Sequence, residues 1–262
     1  MATIWQLLRS IVFEVLVYLT MAVLGILGAP FALWSVNGAY AVCRLYARVM
    51  FFFLRWIVGI HVEVRGPVPA GEVLVAAKHQ SFLDILMIFE ALPRAKFIMK
   101  KELKWAPFIG LYALRIGSTP VARGQRGKAM KEMVAHAGRT TEPRQLVIYP
   151  QGTRVAPGAR PAFKVGAGVL YERSGEPCIP AATNAGVFWG RRTLLKRPGL
   201  AVVEFLPEIP PGLAIPEFMA RMENAVEDAS DRLMREAGFE PGPRAEKAPS
   251  DYATRERVRT AG

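Results

Sequence analysis

A histidine and an aspartate five residues apart offer the clearest catalytic chemistry in the chain. They stand in the segment Lys78-His79-Gln80-Ser81-Phe82-Leu83-Asp84. An apolar run precedes His79 and a helical pattern follows it, which predicts a loop at the carboxyl end of a strand, where α/β proteins place their sites. A carboxylate bonded to one imidazole nitrogen leaves the other free to accept a substrate proton. We therefore predict that His79 is a general base and that Asp84 orients it.

The same spacing also has a purely structural interpretation. Ser81 and Asp84 form the pattern of a capping box, in which the serine caps the helix and the acid bonds back to the serine's backbone amide. Spacing alone does not decide between a catalytic pair and a helix cap, and both interpretations stay open at this point.

Two stretches at predicted strand ends are suited to holding an anion. The first begins at Gly117 and reaches Arg123, and the second is Tyr149-Pro150-Gln151-Gly152-Thr153-Arg154. In the second, Gly152 allows close approach of the backbone, Thr153 offers a hydroxyl and Arg154 offers a bidentate fork for phosphate. Taken singly, each stretch is more often an ordinary turn with a surface arginine. At strand ends of one sheet and beside a histidine, the two together favour an anion site.

Other reaction types lack their sequence patterns. The chain has no Gly-x-Ser-x-Gly motif of serine hydrolases and no phosphate-binding Gly-x-x-x-x-Gly-Lys-Ser/Thr loop. Its histidines and cysteines are scattered, at His61, His79, His136, Cys43 and Cys178, so no metal site is expected. Two distant cysteines also form no disulfide framework, which fits a reducing, cytosol-facing location.

The elements that must position these residues alternate between strands and helices beyond residue 60. Short apolar runs predict strands at 61–64, 73–77, 96–99, 145–149, 178–182 and 200–205. Helical patterns cover residues 82–92, 102–114, 125–139, 164–173 and 216–236. This alternation predicts an α/β fold, with a mixed sheet flanked by helices on both faces.

A long apolar segment precedes this domain. Residues 11–34 hold one ionisable residue, Glu14, and exceed the roughly 20 residues needed to cross a bilayer. A cleaved signal peptide is the alternative, but the run is longer than a typical signal core and lacks a clean cleavage site. We divide the chain into anchoring helices over 1–58, a catalytic domain over 59–240 and a flexible polar tail over 241–262.

The form of the anchor has two interpretations. Glycines and a proline interrupt the apolar run, and the following stretch carries Arg44 and Arg48 on one helical face. The segment is either one true span or a helical pair that dips into one leaflet with its arginines at the lipid phosphates, and we favour the second.

The net charge of +12, from 34 Lys and Arg against 22 acidic residues, predicts a polyanionic partner. Solvated basic faces are the simpler alternative. Because no nucleic-acid motif is present and an apolar segment is, we expect anionic membrane lipids rather than nucleic acid. Basic side chains that could hold the domain against such lipids are Lys100, Lys101, Lys104, Arg191 and Arg192.

Together these motifs resemble those of the 1-acyl-sn-glycerol-3-phosphate acyltransferase family, within the glycerolipid acyltransferases. The family's His-x4-Asp motif is matched by His79 and Asp84, and its glycine followed six residues later by arginine is matched by Gly117 and Arg123. Its Phe-Pro-Glu-Gly-Thr-Arg motif is similar to residues 149–154, with a Phe-Lys-x-Gly match at 163–166. Its Val/Ile-Pro-x-Ala segment resembles residues 179–182. The motifs keep the family's order across residues 60–206.

The resemblance implies direct acyl transfer from a thioester to the sn-2 hydroxyl of lysophosphatidic acid, which gives phosphatidic acid for phospholipid biosynthesis. His79, oriented by Asp84, takes the hydroxyl proton without a covalent enzyme intermediate. The residues implied around the acceptor phosphate are Gly117, Arg123, Gln151, Gly152, Thr153, Arg154 and Lys164. No cofactor is implied, only acyl-carrier protein or coenzyme A as acyl carrier. The location implied is the bacterial inner membrane, with the catalytic domain on its cytoplasmic face.

Two positions depart from the family pattern. The glutamate of the third motif is Gln151, and the acidic residue that often precedes the second-motif arginine is Ala122. Both changes bear on how the acceptor head group is held. The alternatives are therefore an acyltransferase for another lysolipid, such as lyso-ornithine lipid, and a non-catalytic membrane protein that binds lipid.

Overall fold

A seven-stranded mixed sheet lies at the centre of the molecule, of which the computed structural model describes residues 2–122 and 143–243. Its strands are β1 (Ile60–Arg65), β2 (Val73–Ala77), β3 (Ala95–Lys100), β4 (Thr119–Val121), β5 (Gln145–Ile148), β6 (Cys178–Thr183) and β7 (Gly199–Phe205). They are ordered β1-β7-β6-β2-β5-β3-β4. β6 and β7 are antiparallel and the other neighbouring pairs are parallel, so β2 to β6 run in one direction. The predicted mixed α/β sheet is confirmed.

Helices cover both faces of this sheet. In the described ranges they are α1 (Ala2–Leu27), α2 (Ala29–Trp34), α3 (Val36–Phe53), α4 (Leu83–Ala91), α5 (Ile109–Arg115), α6 (Gly166–Ser174), α7 (Ala185–Phe188) and α8 (Ile215–Glu236). A π-helical turn, Leu54–Val58, follows α3, and a 3₁₀ turn, Lys101–Trp105, follows β3. The helix predicted over 125–139 and most of the predicted tail lie outside the described residues.

The central strand β2 shows how the sequence builds two cores. Val73, Val75 and Ala77 pack into the cluster formed with α1, α3 and α4, on one face of the sheet. Leu74 and Ala76 pack into a second cluster with α6 and α8, on the opposite face. Successive side chains of a strand point to opposite faces, so a strand covered on both sides must be apolar at every position. The unbroken apolar run of β2 is the result.

The amino-terminal helices pack against the first face of the sheet. Ser35, in extended conformation, separates α2 from α3, and its hydroxyl accepts a hydrogen bond from the backbone N–H of Gly38 at 2.9 Å. Within the described residues one segment, Thr3–Leu27, is long and apolar enough to cross a membrane. Much of its apolar surface is exposed. The segment therefore supports association with a membrane.

The arginines of α3 are bound to the catalytic domain. Arg44 donates to the backbone carbonyls of Leu92 and Pro93 at 3.0 and 2.8 Å, and Arg48 pairs with Glu90 at 2.6 Å. Both arginines therefore have partners within the protein, although the side chain of Arg48 is 66% exposed, and their contact with lipid phosphates stays a prediction. The carbonyls at the carboxyl end of α4 have no partner within that helix, and α3 packs close enough for Arg44 to supply donors.

Three neighbouring strands end at the edge of the sheet where the predicted site residues stand. β2 pairs with β5 in the register Ala76↔Ile148, and β5 pairs with β3. Their carboxyl ends therefore bring the His79 loop, the 149–154 loop and the start of the 3₁₀ turn together.

Candidate active site

His79 and Asp84 form a hydrogen-bonded pair at this edge. His79 follows β2 by two residues and Asp84 lies in the first turn of α4. The imidazole Nδ1 lies 2.9 Å from the carboxylate Oδ1 of Asp84. An ionised carboxylate only accepts hydrogen bonds, so Nδ1 carries the proton in this pair and Nε2 remains as the basic nitrogen. The pair can therefore remove a proton from a hydroxyl that enters beside Nε2.

The carboxylate of Asp84 is itself fixed by the start of α4. The side chain is fully buried, and its Oδ2 accepts from the backbone N–H groups of Gln80 at 2.8 Å and Ser81 at 2.7 Å. The hydroxyl of Ser81 in turn accepts from the backbone N–H of Leu83 at 3.0 Å. The capping pattern and the catalytic pattern are thus one arrangement, in which the helix start holds the acid that orients the histidine.

Tyr149 supports the imidazole from the neighbouring loop. Its ring stacks on that of His79 with centroids 4.0 Å apart and an interplanar angle of 22°. Tyr149 also stacks on Phe97 of β3, with centroids 6.3 Å apart. Rotation of the imidazole is therefore restricted by the hydrogen bond from Nδ1 to Asp84 and by the ring of Tyr149 against its face.

A large cavity opens beside His79. Its volume is about 1720 Å³, larger than the roughly 300–1,000 Å³ of pockets for drug-sized ligands. Near the histidine the wall is polar and includes Gly152, Thr153, Arg154, Lys164 and Arg191. The remaining wall is mainly apolar and is supplied by α1, α3, α4, β3 and α5. Such a space suits a molecule with one charged end and one or more hydrocarbon chains.

The loop after β5 brings the polar wall to the histidine. Gly152 has a φ of +70°, which glycine adopts without strain, and its N–H bonds to the carbonyl of Tyr149 at 2.8 Å. The backbone N–H of Val155 donates to the carbonyl of His79 at 2.8 Å. The loop of the predicted base and the loop of the predicted anion site are therefore joined directly through their backbones.

Arg154 lies in an electropositive corner of the cavity. Burial lowers its pKa, the charge of Arg191 lowers it further, and the carboxylate of Asp84 opposes both effects. Arg191 also donates to the hydroxyl of Thr153 and the carbonyl of Arg154, each at 3.3 Å. Guanidinium groups held close together at the cost of mutual repulsion are stabilised by an anion that binds between them.

Two residues predicted around the phosphate lie outside this wall. The side chain of Gln151 is buried beneath the loop and donates to Glu227 of α8 at 3.4 Å. Gly117 follows the carboxyl end of α5 with a φ of +83°, and its N–H donates to the carbonyl of Leu114 in the last turn of that helix. Arg123 lies outside the described residues. The structure thus brings His79, Asp84, Gly152, Thr153, Arg154 and Lys164 together at one site.

Comparison with known proteins decides the family. Residues 59–184 match a family model described as Acyltransferase. The chain is 31% identical over 196 residues to the human 1-acyl-sn-glycerol-3-phosphate acyltransferase alpha, and the alignment covers 72% of this chain and 69% of that protein. The chain belongs to the 1-acyl-sn-glycerol-3-phosphate acyltransferase family. The resemblance drawn from its motifs is confirmed.

Two further comparisons extend this assignment. The 1-acyl-sn-glycerol-3-phosphate acyltransferase of Pseudomonas aeruginosa is 27% identical over 208 residues, covering 77% of this chain and 80% of that protein. The crystal structure of the 1-acyl-sn-glycerophosphate acyltransferase from Thermotoga maritima superposes with a TM-score of 0.75 and 18% sequence identity, covering 89% of this chain and 99% of that chain. At this identity the superposition establishes the acyltransferase fold.

In this member of the family, sequence reasoning missed three residues of the cavity wall or its support. Lys100 and Arg191 were expected to face lipid, yet both line the cavity. Tyr149 was expected at the end of a strand and the start of the anion-binding stretch, without a contact to His79. Lys100 could have been found from its position just after a predicted strand. Nothing local marks Arg191 as part of the wall or the stacking of Tyr149 on His79.

Proposed function

We propose that this protein transfers a fatty acyl group from a thioester to the sn-2 hydroxyl of 1-acylglycerol-3-phosphate, which gives phosphatidic acid for phospholipid biosynthesis. One observation carries the proposal: the His79–Asp84 pair opens into the same cavity as Arg154 and Lys164, and the rest of that cavity is mainly apolar. A base, a cationic corner and space for hydrocarbon match the hydroxyl, phosphate and chain of a lysophosphatidic acid. The names of the human and Pseudomonas relatives support the same reaction.

The transfer proceeds in two proton movements. Nε2 of His79 accepts the proton of the sn-2 hydroxyl while the oxygen attacks the thioester carbonyl carbon. Asp84 stabilises the imidazolium that forms. When the tetrahedral intermediate collapses, the carbon–sulfur bond breaks and the imidazolium returns the proton to the leaving thiolate. The thiol product and the diacyl product leave the histidine in its starting state, so the acyl thioester is the only co-substrate that the proposal requires.

The acceptor phosphate is held in the proposal by the loop after β5. Arg154 offers a bidentate fork and Lys164 a single ammonium, and the hydroxyl of Thr153 lies beside them. We also include Gly152, whose lack of a side chain lets the backbone approach the phosphate. Arg191 is added from the geometry, because it shares the wall with Arg154. The acyl carrier is either acyl-carrier protein or coenzyme A, both of which carry negative charge that basic residues of the cavity wall would attract.

We further propose that the protein lies in one leaflet of the bacterial inner membrane, with its catalytic domain on the cytoplasmic face. The amino-terminal half of α1 is bonded to the domain, since Gln6 donates to the carbonyls of Val58 and Lys196, each at 3.0 Å. Its other end is bonded too, since the hydroxyl of Tyr112 donates to the carbonyl of Gly25 at 3.1 Å. A helix that is bonded to the domain near both of its ends supports an anchor in the plane of the membrane, where the lysophosphatidic acid and the diacyl product reside.

The proposed function is tested by acyl transfer in detergent micelles with purified full-length protein. Wild type and Arg154→Ala are each given labelled acyl-coenzyme A or acyl-acyl-carrier protein, with lysophosphatidic acid or lyso-ornithine lipid as acceptor. We expect phosphatidic acid from wild type, and a rise in KM for lysophosphatidic acid of about tenfold or more in Arg154→Ala, the loss of one charge-assisted interaction. Product from lyso-ornithine lipid alone, unaffected by Arg154→Ala, would contradict the acceptor assignment.

A further inference from the structure

A buried lysine stands directly before the predicted base. Lys78 is 1% exposed, and its ammonium lies 2.5 Å from the carboxylate oxygen Oε1 of Glu227. Glu227 is 6% exposed and lies on α8, 149 residues further along the chain. Burial lowers the pKa of Lys78, and the charge of Glu227 opposes this effect. Glu227 on α8 is thus the carboxylate that pairs directly with the buried ammonium of the residue before His79.

The same oxygen of Glu227 also meets the other loop of the site. The side-chain amide of Gln151 donates to Oε1 of Glu227 at 3.4 Å. Gln151 precedes Gly152 in the loop that carries the predicted phosphate contacts. One carboxylate oxygen therefore joins the residue before the base to the loop that is expected to hold the acceptor phosphate.

Charges in this cluster are balanced. Arg160 lies 3.9 Å from Oε2 of Glu227 and donates to Asp231 of α8 at 2.8 Å. Lys78 and Arg160 supply two positive charges, and Glu227 and Asp231 supply two negative charges. Gln151, at the position where the family resemblance gives glutamate, is neutral. A carboxylate there would face Glu227 directly and leave the buried cluster with an excess negative charge.

We propose that Glu227 is a positioning residue for acyl transfer, which holds the His79 loop and the Gly152–Arg154 loop in register through Lys78 and Gln151. The negative charge that this cluster requires comes from α8, which is why position 151 is neutral in this chain. The inference rests on the proposed function, because its main readout is the rate of acyl transfer. Errors of about 1 Å in the alignment of reacting groups can cost on the order of a hundredfold in rate.

A positioning residue differs from a purely structural ion pair because its loss lowers kcat in a protein that remains folded. Because Lys78 and Gln151 both contact the same oxygen, a carboxylate at either position 151 or position 227 lies close to the ammonium. Moving the negative charge from one position to the other should therefore restore the site. Two unrelated destabilising changes would instead add their effects.

The test compares four full-length proteins: wild type, Gln151→Glu, Glu227→Gln and the double variant Gln151→Glu/Glu227→Gln. For each, kcat, KM for lysophosphatidic acid and the thermal midpoint are measured. We expect each single variant to lose about tenfold to a hundredfold in kcat, with a smaller change in KM. The double variant should return to within about threefold of wild type. Glu236→Gln is the matched control. It removes an exposed carboxylate that lies on α8, as Glu227 does, and that pairs with Arg65 of β1, and it should leave kcat unchanged.

The outcomes separate this inference from the proposed function. Wild type that forms no phosphatidic acid contradicts the proposed function itself. With active wild type, the inference is overturned if Glu227→Gln keeps the full kcat. It is also overturned if the double variant fails to fold or is no more active than the weaker single variant. Single variants that keep a thermal midpoint near that of wild type but lose kcat, with kcat recovered in the double variant, support it. Single variants that lose kcat only because they do not fold overturn it.

Discussion

The ring of Tyr149 lies against the imidazole of His79, with centroids 4.0 Å apart and planes inclined by 22°. Tyr149 comes from the loop after β5 and His79 from the loop after β2, and these two strands are neighbours in the sheet. The stacking therefore depends on the register of β2 and β5, and it couples the orientation of the predicted base to the loop that carries Arg154.

This relationship predicts different effects for two substitutions of Tyr149. Burial raises the pKa of Tyr149 well above its usual value, so its hydroxyl stays neutral at working pH. Tyr149→Phe keeps the ring and should retain kcat within about threefold. Tyr149→Leu removes an aromatic contact of about 0.5–1.5 kcal/mol and should lower kcat by about twofold to tenfold. Steady-state kinetics of both variants check this, and equal losses would show that the hydroxyl rather than the stacking matters.

Gly152→Ala should impair both stability and acceptor binding. The residue has a φ of +70°, and an added Cβ would lie 2.7 Å from the ammonium of Lys164. The left-handed conformation alone costs alanine roughly 1–2 kcal/mol. Displacement of Lys164 should raise KM for lysophosphatidic acid about tenfold through the loss of a charged contact.

Gly175→Ala is the matched control for this substitution. Gly175 ends α6 with a φ of +65°, and an added Cβ there would meet nothing within 4 Å. Thermal unfolding should show a similar loss of stability in both variants, whereas KM should change only in Gly152→Ala. A similar rise in KM in both would refute the contact with Lys164 as the cause.

Trp34→Glu should weaken binding to membranes. Trp34 is the last residue of α2 and is 91% exposed, so it adds apolar surface next to the exposed face of α1. Withdrawal of a large side chain from lipid costs about 1.5–3 kcal/mol, which predicts a fall in the partition coefficient of about tenfold or more. Co-sedimentation with vesicles of phosphatidylcholine and phosphatidylglycerol measures it. Val68→Glu, at a 43% exposed loop residue between β1 and β2, should bind as wild type does.

Cysteine chemistry should play no part in the transfer. Cys43 lines the cavity, but burial raises the pKa of its thiol to about 12, so its thiolate is scarcely populated near pH 7.5. The thiolate is the nucleophilic form. Protein incubated with acyl thioester and no acceptor should therefore show no added acyl mass by mass spectrometry. A stable acyl adduct on Cys43 would contradict direct transfer to the acceptor hydroxyl.

The sheet and the His79–Asp84 pair were accessible from the sequence because both are encoded by local patterns. The apolar run of residues 73–77 predicts β2, and Asp84 stands one helical turn from Ser81, where a carboxylate reaches the backbone amides at the helix start. The sequence also indicates that His79 and Arg154 follow strands of one sheet, but it does not indicate that β2 and β5 are neighbours, which is what brings the two loops together.

Side chains whose partners come from distant elements were not accessible in this way. Nothing near Gln151 in the sequence indicates that it turns inward to Glu227, 76 residues away. The pattern of Arg44 and Arg48 correctly indicates a helical face, but the carbonyls and carboxylate that receive them belong to α4 and the turn after it. Local spacing predicts which face a residue occupies, whereas tertiary packing decides what covers that face.

The central claim is that His79 is the base for acyl transfer to lysophosphatidic acid. Its most direct test is the formation of labelled phosphatidic acid by purified wild type and His79→Ala, with a thermal melt to verify that both are folded. We predict product from wild type and a fall in kcat of about a hundredfold to ten-thousandfold in the variant, the usual contribution of general base catalysis. A folded His79→Ala protein that turns over at the wild-type rate would contradict the account.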